Sequence, residues 1–170
     1  VTRDNYQALL PPLLTAGEGS GFCINVSVDV SSVDVMRLCH DLDCLYVDSS
    51  AEPWAGYFHD KTIEIAARTN YAMREAVLAE IRRRNRRGAT AVTSCGANPG
   101  MVSWLLKDAL LQLSSDLGIA NGVPPQSRHD WARLMQQCGV KGLHIAERDA
   151  QRSLKPKRMG VFTNTWSVEG

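Results

Sequence analysis

Apolar residues follow two different spacings along this chain, and each spacing predicts one kind of element. Short apolar runs at 22–28, 44–47 and 89–92 predict buried strands. Apolar residues three and four positions apart predict amphipathic helices at 4–16, 33–38, 70–84, 102–117 and 128–138. The run at 22–28 is continuous enough to predict burial on both faces of its strand. Pro11 and Pro12 are expected to kink or break the first helix.

The first part of the chain alternates strands with helices, which favours parallel strands joined by right-handed crossovers. Ligands of such sheets bind at the carboxyl ends of the strands. Small polar residues follow all three predicted strands, at 27–29, 48–50 and 94–96. This repetition indicates a nucleotide-binding edge. The alternative is that these strand ends are polar only because they meet solvent.

The segment 93–101 joins the third strand to the long helix at 102–117 and contains two glycines. Asn98 is a good N-cap, and Pro99 suits the first helical position because its missing N–H would have no partner there. Gly96 and Gly100 allow a backbone or a ligand to come close. The segment therefore predicts a ligand-binding turn at a helix N-terminus, with an ordinary strand-to-helix connection as the alternative.

The pattern changes beyond residue 120. A turn rich in Gly and Pro at 121–125 precedes the helix at 128–138, which Gly139 is expected to close. Alternating residues at 143–147 and an apolar run at 161–166 predict two more strands. These two strands are expected to be antiparallel and to belong to a different sheet from the first three.

Composition excludes several classes of protein. With 170 residues, 44% hydrophobic, 22% charged and a net charge of +1, the chain has the composition of a soluble globular protein. We expect no membrane association, because no apolar run is long enough to span a bilayer, and there is no signal peptide. The five cysteines are odd in number and lack CxxC spacing, which predicts neither a metal site nor disulfides. A reducing cytoplasm fits this best.

The most basic run, 82–87, forms the tail of the helix predicted at 70–84. It could be a nucleic-acid patch, which would bind DNA or RNA with a steep salt dependence. Because positive residues favour a helix C-terminus and no aromatic residues are interleaved with them, a solvated helix end is the preferred interpretation. We expect no nucleic-acid partner.

Familiar catalytic patterns are absent from the sequence, which contains no GxGxxG, GxxxxGK[ST], HExxH or GxSxG. Carboxylates recur beside an aromatic residue or a second carboxylate: Glu52 with Trp54, Glu147 with Asp149, and Trp166 with Glu169. A carboxylate near a Trp face suits a cationic amine through ion pairing and cation–π attraction. Such pairs are also common by chance.

Five segments extend this pattern into a family resemblance. In chain order they are Asn25-Val26-Ser27-Val28-Asp29, Glu52-Pro53-Trp54, Gly96-Ala97-Asn98-Pro99-Gly100-Met101-Val102-Ser103-Trp104, His144-Ile145-Ala146-Glu147-Arg148-Asp149 and Asn164-Thr165-Trp166-Ser167-Val168-Glu169-Gly170. The series closely resembles the homospermidine synthases of the bacterial type, which are relatives of saccharopine dehydrogenases. The resemblance covers essentially the whole chain.

The resemblance implies an enzyme that uses NAD without net consumption. A hydride leaves the carbon that bears an amine of putrescine, and the resulting imine loses ammonia. A second putrescine then condenses with this carbon, and the same hydride returns to give homospermidine. Nicotinamide does the hydride chemistry, and the protein orients it and manages charge.

The same resemblance implies roles for individual residues. Trp166 would offer its ring face to the cationic centre, Glu147 and Glu52 would anchor ammonium groups and move protons, and Asn98 would bind the reacting amine or the nicotinamide. The implied cofactor-binding residues are Ser27, Asp29, Asp48, Ser49, Gly96, Asn98 and Pro99. The alternative for each carboxylate is a surface or capping role.

The predicted fold is an α/β fragment with two parts. Residues 1–97 form the later part of a Rossmann-like NAD-binding domain, and 98–170 begin an α+β catalytic and dimerisation domain. The family is larger than this chain, so the resemblance implies an internal piece of a homodimeric enzyme, inactive in isolation. Two rivals stay open: a saccharopine or carboxynorspermidine dehydrogenase-type imine reductase, and a non-catalytic fragment that binds NAD or dimerises.

Overall fold

The computed structural model describes residues 1–85, 87–119, 122–148, 150, 152 and 154–161. Its helices are α1 (Tyr6–Leu14), α2 (Ser32–Asp41), α3 (Asn70–Arg83), α4 (Met101–Asp116) and α5 (Arg128–Gln137). Its strands are β1 (Phe22–Asn25), β2 (Leu45–Asp48) and β3 (Ala91–Val92), and two short 3₁₀ helices cover Tyr57–His59 and Ile65–Ala67. The chain groups into two compact units, Val1–Leu105 and Leu106–Gly170.

The three strands of the first unit form one parallel sheet in the order β1-β2-β3. Phe22 pairs with Leu45 and Asn25 with Asp48 between β1 and β2. Tyr46 pairs with Ala91 between β2 and β3. The predicted α/β fold with parallel strands is therefore confirmed, although each strand is shorter than or shifted from its predicted range.

The helices of the first unit share one core on one face of the sheet. The core is formed by buried Val30, Val35, Met36, Cys39, Cys44, Tyr46 and Val77, with Tyr6, Leu10 and Leu14 of α1 packed against it. Successive crossovers of the same hand, running in the same direction across the sheet, place their helices on the same side.

The opposite face of the sheet stays exposed, which corrects the prediction of a strand buried on both faces. On β1, Phe22 is 56% and Ile24 64% exposed. The alternate residues Cys23 and Asn25 point to the core side. We call the exposed residues Phe22, Ile24, Leu45 and Val92, together with the half-buried Val47 between them, the uncovered face. The prediction failed because apolar content cannot tell which face of a strand a helix covers.

Helix boundaries follow local capping chemistry. The Ser31 hydroxyl accepts from the Asp34 N–H at 3.2 Å and caps the start of α2. Ser127 and Asp130 form a capping box at the start of α5, a pairing in which each side chain binds the other residue's N–H. Gly139, with φ 70°, ends that helix as predicted.

One predicted helix break and one predicted helix cap were wrong. The helix α1 runs through Pro11 and Pro12, although five of its residues precede Pro11 and each proline lacks the N–H of one main-chain hydrogen bond. Packing of Leu10 and Leu14 against the core stabilises this helix. The helix α4 begins at Met101, so Asn98 and Pro99 are not its N-cap and first residue. They lie in the preceding turn.

The arginines of the basic run at the end of α3 form ion pairs with carboxylates. Glu80, only 3% exposed, binds Arg83 at 2.6 Å, Arg84 at 3.0 Å and, from α2, Arg37 at 3.2 Å. Arg84 also pairs with Asp41 of α2. These hydrogen bonds hold the pKa of Glu80 at about 2. The run therefore fastens α3 to α2, which neither the patch nor the solvated-end interpretation anticipated.

The second unit contains most of α4, together with α5. The predicted strand at 143–147 is wrong, because these residues adopt no regular secondary structure. The predicted strand at 161–166 lies outside the described residues except for Val161. Within the described part of the chain, no helix is long and apolar enough to cross a membrane.

Candidate functional site

The loops that follow the three strands meet at the carboxyl edge of the sheet. The Cys95 N–H donates to the Asp48 carbonyl at 2.9 Å, which joins the loop after β3 to the end of β2. The Ser32 N–H donates to the Glu52 carbonyl at 2.9 Å, which joins the loop after β2 to the start of α2. The sequence-based expectation that these strand ends come together is confirmed. This edge is the candidate site.

A row of polar side chains runs beneath that edge. The Asn25 amide donates to the Tyr46 hydroxyl at 3.3 Å, and this hydroxyl donates to Asp48 Oδ2 at 2.8 Å. The other oxygen of Asp48 accepts from the Ser94 N–H at 2.6 Å. At the opposite end, Asn25 Oδ1 accepts from the Ser27 N–H at 3.1 Å. We call Asn25, Tyr46 and Asp48 the buried row.

Burial sets the protonation chemistry of this row. Tyr46 and Asp48 are each 2% exposed. Burial raises the pKa of Asp48, although the Ser94 N–H and the Tyr46 hydroxyl oppose that rise by stabilising the carboxylate. Burial also raises the pKa of Tyr46. The hydroxyl thus stays a donor at neutral pH, and the carboxylate offers one oxygen to each neighbouring donor.

The turn between β3 and α4 closes on itself through main-chain contacts. The Gly96 N–H donates to the Pro99 carbonyl at 2.9 Å, and the Met101 N–H donates to the Gly96 carbonyl at 2.8 Å. The Asn98–Pro99 peptide is cis, and Gly100 has φ 132°. A Cβ on Gly96 would lie 2.5 Å from the Ser49 carbonyl oxygen. The predicted close approach at this glycine is therefore real, and its neighbour is the backbone after β2.

Glu52 and Trp54 occupy the loop after β2 but do not form the predicted carboxylate–aromatic pair. The half-buried Glu52 carboxylate accepts from the Ser50 hydroxyl at 2.9 Å. The Trp54 indole donates to Asp34 at 2.7 Å, and its ring packs 5.2 Å from that of Tyr6. Trp54 thus packs against the core, whereas Glu52 lies at the carboxyl edge.

The remaining edge residues predicted to bind cofactor differ in exposure. Ser27 and Asp29 are exposed in the loop after β1, where Asp29 has φ 62°. Ser49 and Asn98 are half-buried, and Pro99 is exposed. Together with Asp48 and Gly96 they lie in the three loops of one edge, so the structure places every predicted cofactor-binding residue in the first unit. Their contacts with a cofactor stay a prediction.

The predicted catalytic residues do not all fall in one unit. Glu147 is an exposed residue of an irregular segment in the second unit. Trp166 lies outside the described residues, as do Asp149 and Glu169. Glu52 and Asn98 belong to the carboxyl edge. The catalytic roles of all four stay predictions.

Sequence reasoning missed three residues that organise the edge: Asn25, Tyr46 and Ser94. Tyr46 precedes Asp48 by two positions, which places both side chains on one face of β2. Asn25 ends β1 in register with Asp48. The signal available in the sequence was Tyr46 and Asp48, two polar residues placed two positions apart in an otherwise apolar strand. Ser94 lies in the polar stretch 94–96, but this stretch did not indicate the contact with Asp48, because the backbone N–H of Ser94 makes it.

Other parts of the described chain offer less chemistry. No three His, Cys, Asp or Glu side chains among the described residues are grouped so that they could hold a metal ion. The second unit has an open groove of about 480 Å³. Its lining includes Leu111, Ser114, Val123, Pro124, Arg133 and Leu134, none of which is a predicted site residue. The edge of the sheet remains the better candidate.

Comparison with protein families finds one match. The model of the saccharopine dehydrogenase NADP binding domain matches residues 1–92, which contain the whole parallel sheet. More than half of the chain is thereby assigned to a dinucleotide-binding domain.

Individual relatives extend the similarity to the full chain. A homospermidine synthase of Mesorhizobium japonicum is 57% identical over 171 residues, and one of Blastochloris viridis is 58% identical over 170 residues. Each match covers 100% of this chain and 35% of the relative. The chain thus spans about a third of the length of these relatives.

A solved structure agrees with these relatives. The crystal structure of a homospermidine synthase from Legionella pneumophila in complex with NAD superposes with a TM-score of 0.76 at 36% sequence identity. The superposition covers 98% of this chain and 33% of that protein. The similarity in sequence is therefore matched by similarity in backbone.

Proposed function

Because the chain belongs to the saccharopine dehydrogenase NADP binding domain family, we propose that it is a part of an NAD-dependent homospermidine synthase. The observation that carries this proposal is the identity of 57% and 58%, along the entire chain, to two homospermidine synthases. The proposed reaction transfers an aminobutyl group from one putrescine to another and releases ammonia.

We propose that NAD binds at the carboxyl edge. The residues that fit this group are the exposed or half-buried ones of the three loops, namely Ser27, Asp29, Ser49, Gly96, Asn98 and Pro99. An exposed carboxylate after a strand suits the hydroxyl groups of a ribose. The missing Cβ of Gly96 keeps the turn close to the Ser49 backbone, which holds the loops after β2 and β3 together at this edge. When bound, NAD accepts the hydride and gives it back.

The chain's own residues would handle the charge of the diamine. Glu52 lies at the same edge as the proposed cofactor site, and its carboxylate can bind an ammonium group in addition to the Ser50 hydroxyl. Trp166 is proposed to offer its ring face to the cationic centre. Glu147 is proposed to bind an ammonium group and to move protons. Asn98 would orient the reacting amine or the nicotinamide through its side-chain amide.

We also propose the domain assignment and the assembly expected from the resemblance. Residues 1–97 would complete a Rossmann-like domain, 98–170 would begin a catalytic and dimerisation domain, and the full-length enzyme would be a cytoplasmic homodimer. The five cysteines are free thiols, which is common in a reducing compartment. Light scattering of the full-length protein measures the assembly directly.

The test of the function uses the full-length protein with putrescine and catalytic NAD. Mass spectrometry is expected to detect homospermidine. An ammonia assay is expected to detect the ammonia that is released with it. NAD binding without a secondary amine would favour the imine reductase. Absence of NAD binding would overturn the proposal.

A single substitution tests the catalytic assignment. Glu147→Gln is expected to lower kcat about 100-fold, because it removes a proton-transferring and ammonium-binding carboxylate. The matched control is Glu64→Gln, which changes an exposed glutamate of the first unit. Equal kcat values for the two variants would contradict a catalytic role of Glu147.

A further inference from the structure

The buried row connects two loops that have no strand pairing between them. The sheet order β1-β2-β3 separates β1 from β3 by one strand, which is a distance of about 10 Å. Asn25 holds the loop after β1 through the Ser27 N–H, and Asp48 holds the loop after β3 through the Ser94 N–H. The Tyr46 hydroxyl stands between them and bonds to both side chains.

We infer that the Tyr46 hydroxyl is a positioning group for NAD binding, acting through Asn25 and Asp48 on the loops after β1 and β3. The inference rests on the proposed function, in which these two loops hold the cofactor. Tyr46 itself is 2% exposed and lies beneath the edge, so it acts without touching the cofactor.

The chemistry of the row favours this role over simple packing. A phenylalanine would fill the same space in the core and would avoid the cost of burying a hydroxyl. The hydroxyl instead accepts one hydrogen bond and donates another, which makes the row directional from Asn25 to Asp48. Ser94 has φ 58°, a left-handed conformation uncommon for serine, and its N–H is held by Asp48. The loop geometry after β3 therefore depends on the row.

The test compares two tyrosine variants of the full-length protein. Tyr46→Phe removes the hydroxyl and keeps the ring, and it is expected to raise the Kd for NAD about fivefold to tenfold, as loss of one to two hydrogen bonds would. The matched control is Tyr57→Phe, which removes a hydroxyl that donates to the Ala67 carbonyl at 2.8 Å. Both variants are expected to lower Tm by similar amounts, and only Tyr46→Phe is expected to weaken NAD binding.

A double-mutant cycle shows whether the residues act as one row. Asn25→Ala is expected to raise the Kd for NAD as well, and the Asn25→Ala/Tyr46→Phe double variant is expected to bind no more weakly than the weaker single variant. Asn25→Ala also supplies the test if Tyr46→Phe does not fold.

Three results would overturn the inference, and they differ from one another. If wild type binds NAD and Tyr46→Phe binds it equally well, the hydroxyl serves only the fold. Additive effects in the cycle would show that Asn25 and Tyr46 act separately. If wild type does not bind NAD, the proposed function fails and this inference fails with it.

Discussion

Single residues at the carboxyl edge are defined by contacts that the local sequence does not contain. Asp48 stands at the end of a predicted strand, and its position there was foreseen. Its partner Ser94 is 46 residues away, and the hydrogen bond between them exists only because β2 and β3 are neighbours. Sequence reasoning could thus place the carboxylate at the edge and could not identify what it holds.

Gly100 offers a test of the turn at the residue scale. Its φ of 132° is unfavourable for any residue with a Cβ, and a Cβ there would lie 2.3 Å from the Gly96 carbonyl oxygen. Gly100→Ala is therefore expected to lower the free energy of unfolding by about 2 kcal/mol or more. Urea unfolding followed by circular dichroism measures this change.

The control for that substitution is Gly17→Ala, where a Cβ would have no atom within 4 Å. Its free energy of unfolding is expected to stay within about 0.5 kcal/mol of wild type. Equal urea midpoints for the two alanine variants would contradict the close contact in the turn.

At the scale of elements, α2 and α3 are fastened by charge as well as by apolar packing. Val77 of α3 and Val35 of α2 belong to the same core. Beside them, the carboxylate of Glu80 receives guanidinium groups from Arg37 of α2 and from Arg83 and Arg84 at the end of its own helix. A buried carboxylate is stable there because three cations surround it.

This cluster predicts a pH dependence of stability. The pKa of Glu80 is about 2 in the folded chain, below its ordinary value of 4.5. The stabilisation is therefore fully present above about pH 4.5 and is lost as the pH falls toward 2. Glu80→Gln is expected to cost about 2 kcal/mol at pH 6 and much less at pH 3, as measured by urea unfolding at each pH.

The matched control for Glu80→Gln is Glu75→Gln on the same helix. Glu75 is 59% exposed and pairs with Arg74, and such surface pairs contribute little. Its substitution is expected to change the free energy of unfolding by less than about 0.5 kcal/mol at either pH. A similar loss from both variants would contradict a special role of the buried carboxylate.

At the scale of the whole molecule, the described helices of the first unit cover one face of its sheet and leave the other face uncovered. The uncovered face presents apolar side chains from all three strands in adjacent register, such as Ile24 beside Val47 and Val47 beside Val92. Parallel sheets are usually covered on both faces. An apolar face of this kind favours association with other apolar surfaces.

The 170-residue chain is therefore expected to bind the dye ANS through the uncovered face. Ile24→Thr and Val92→Thr together are expected to lower the ANS fluorescence by about half, since the first replaces an ethyl group and the second a methyl group by a hydroxyl. The control is Ile65→Thr, at an exposed position outside the sheet. An equally large decrease in ANS fluorescence for Ile65→Thr would contradict the assignment of the uncovered face as the surface that binds ANS.

The sequence alone determined the order of the parallel βαβ units, the class of the fold and the loops that form the carboxyl edge. These features follow from apolar periodicity and from short-range capping, which act within a few residues. The N-caps Ser31 and Ser127 depend on the same short range, because each binds the N–H of a residue three positions later in the chain.

Only the tertiary structure decided which face of the sheet is covered, that Tyr46 links Asn25 to Asp48, and that arginines of α2 and of the end of α3 surround Glu80. Each of these depends on groups far apart in the chain that meet after the crossovers have set the sheet order. A periodic pattern records that a side chain is apolar or polar. The partner that it meets is selected by the packing of whole elements, and for that reason the buried row appeared only in the folded molecule.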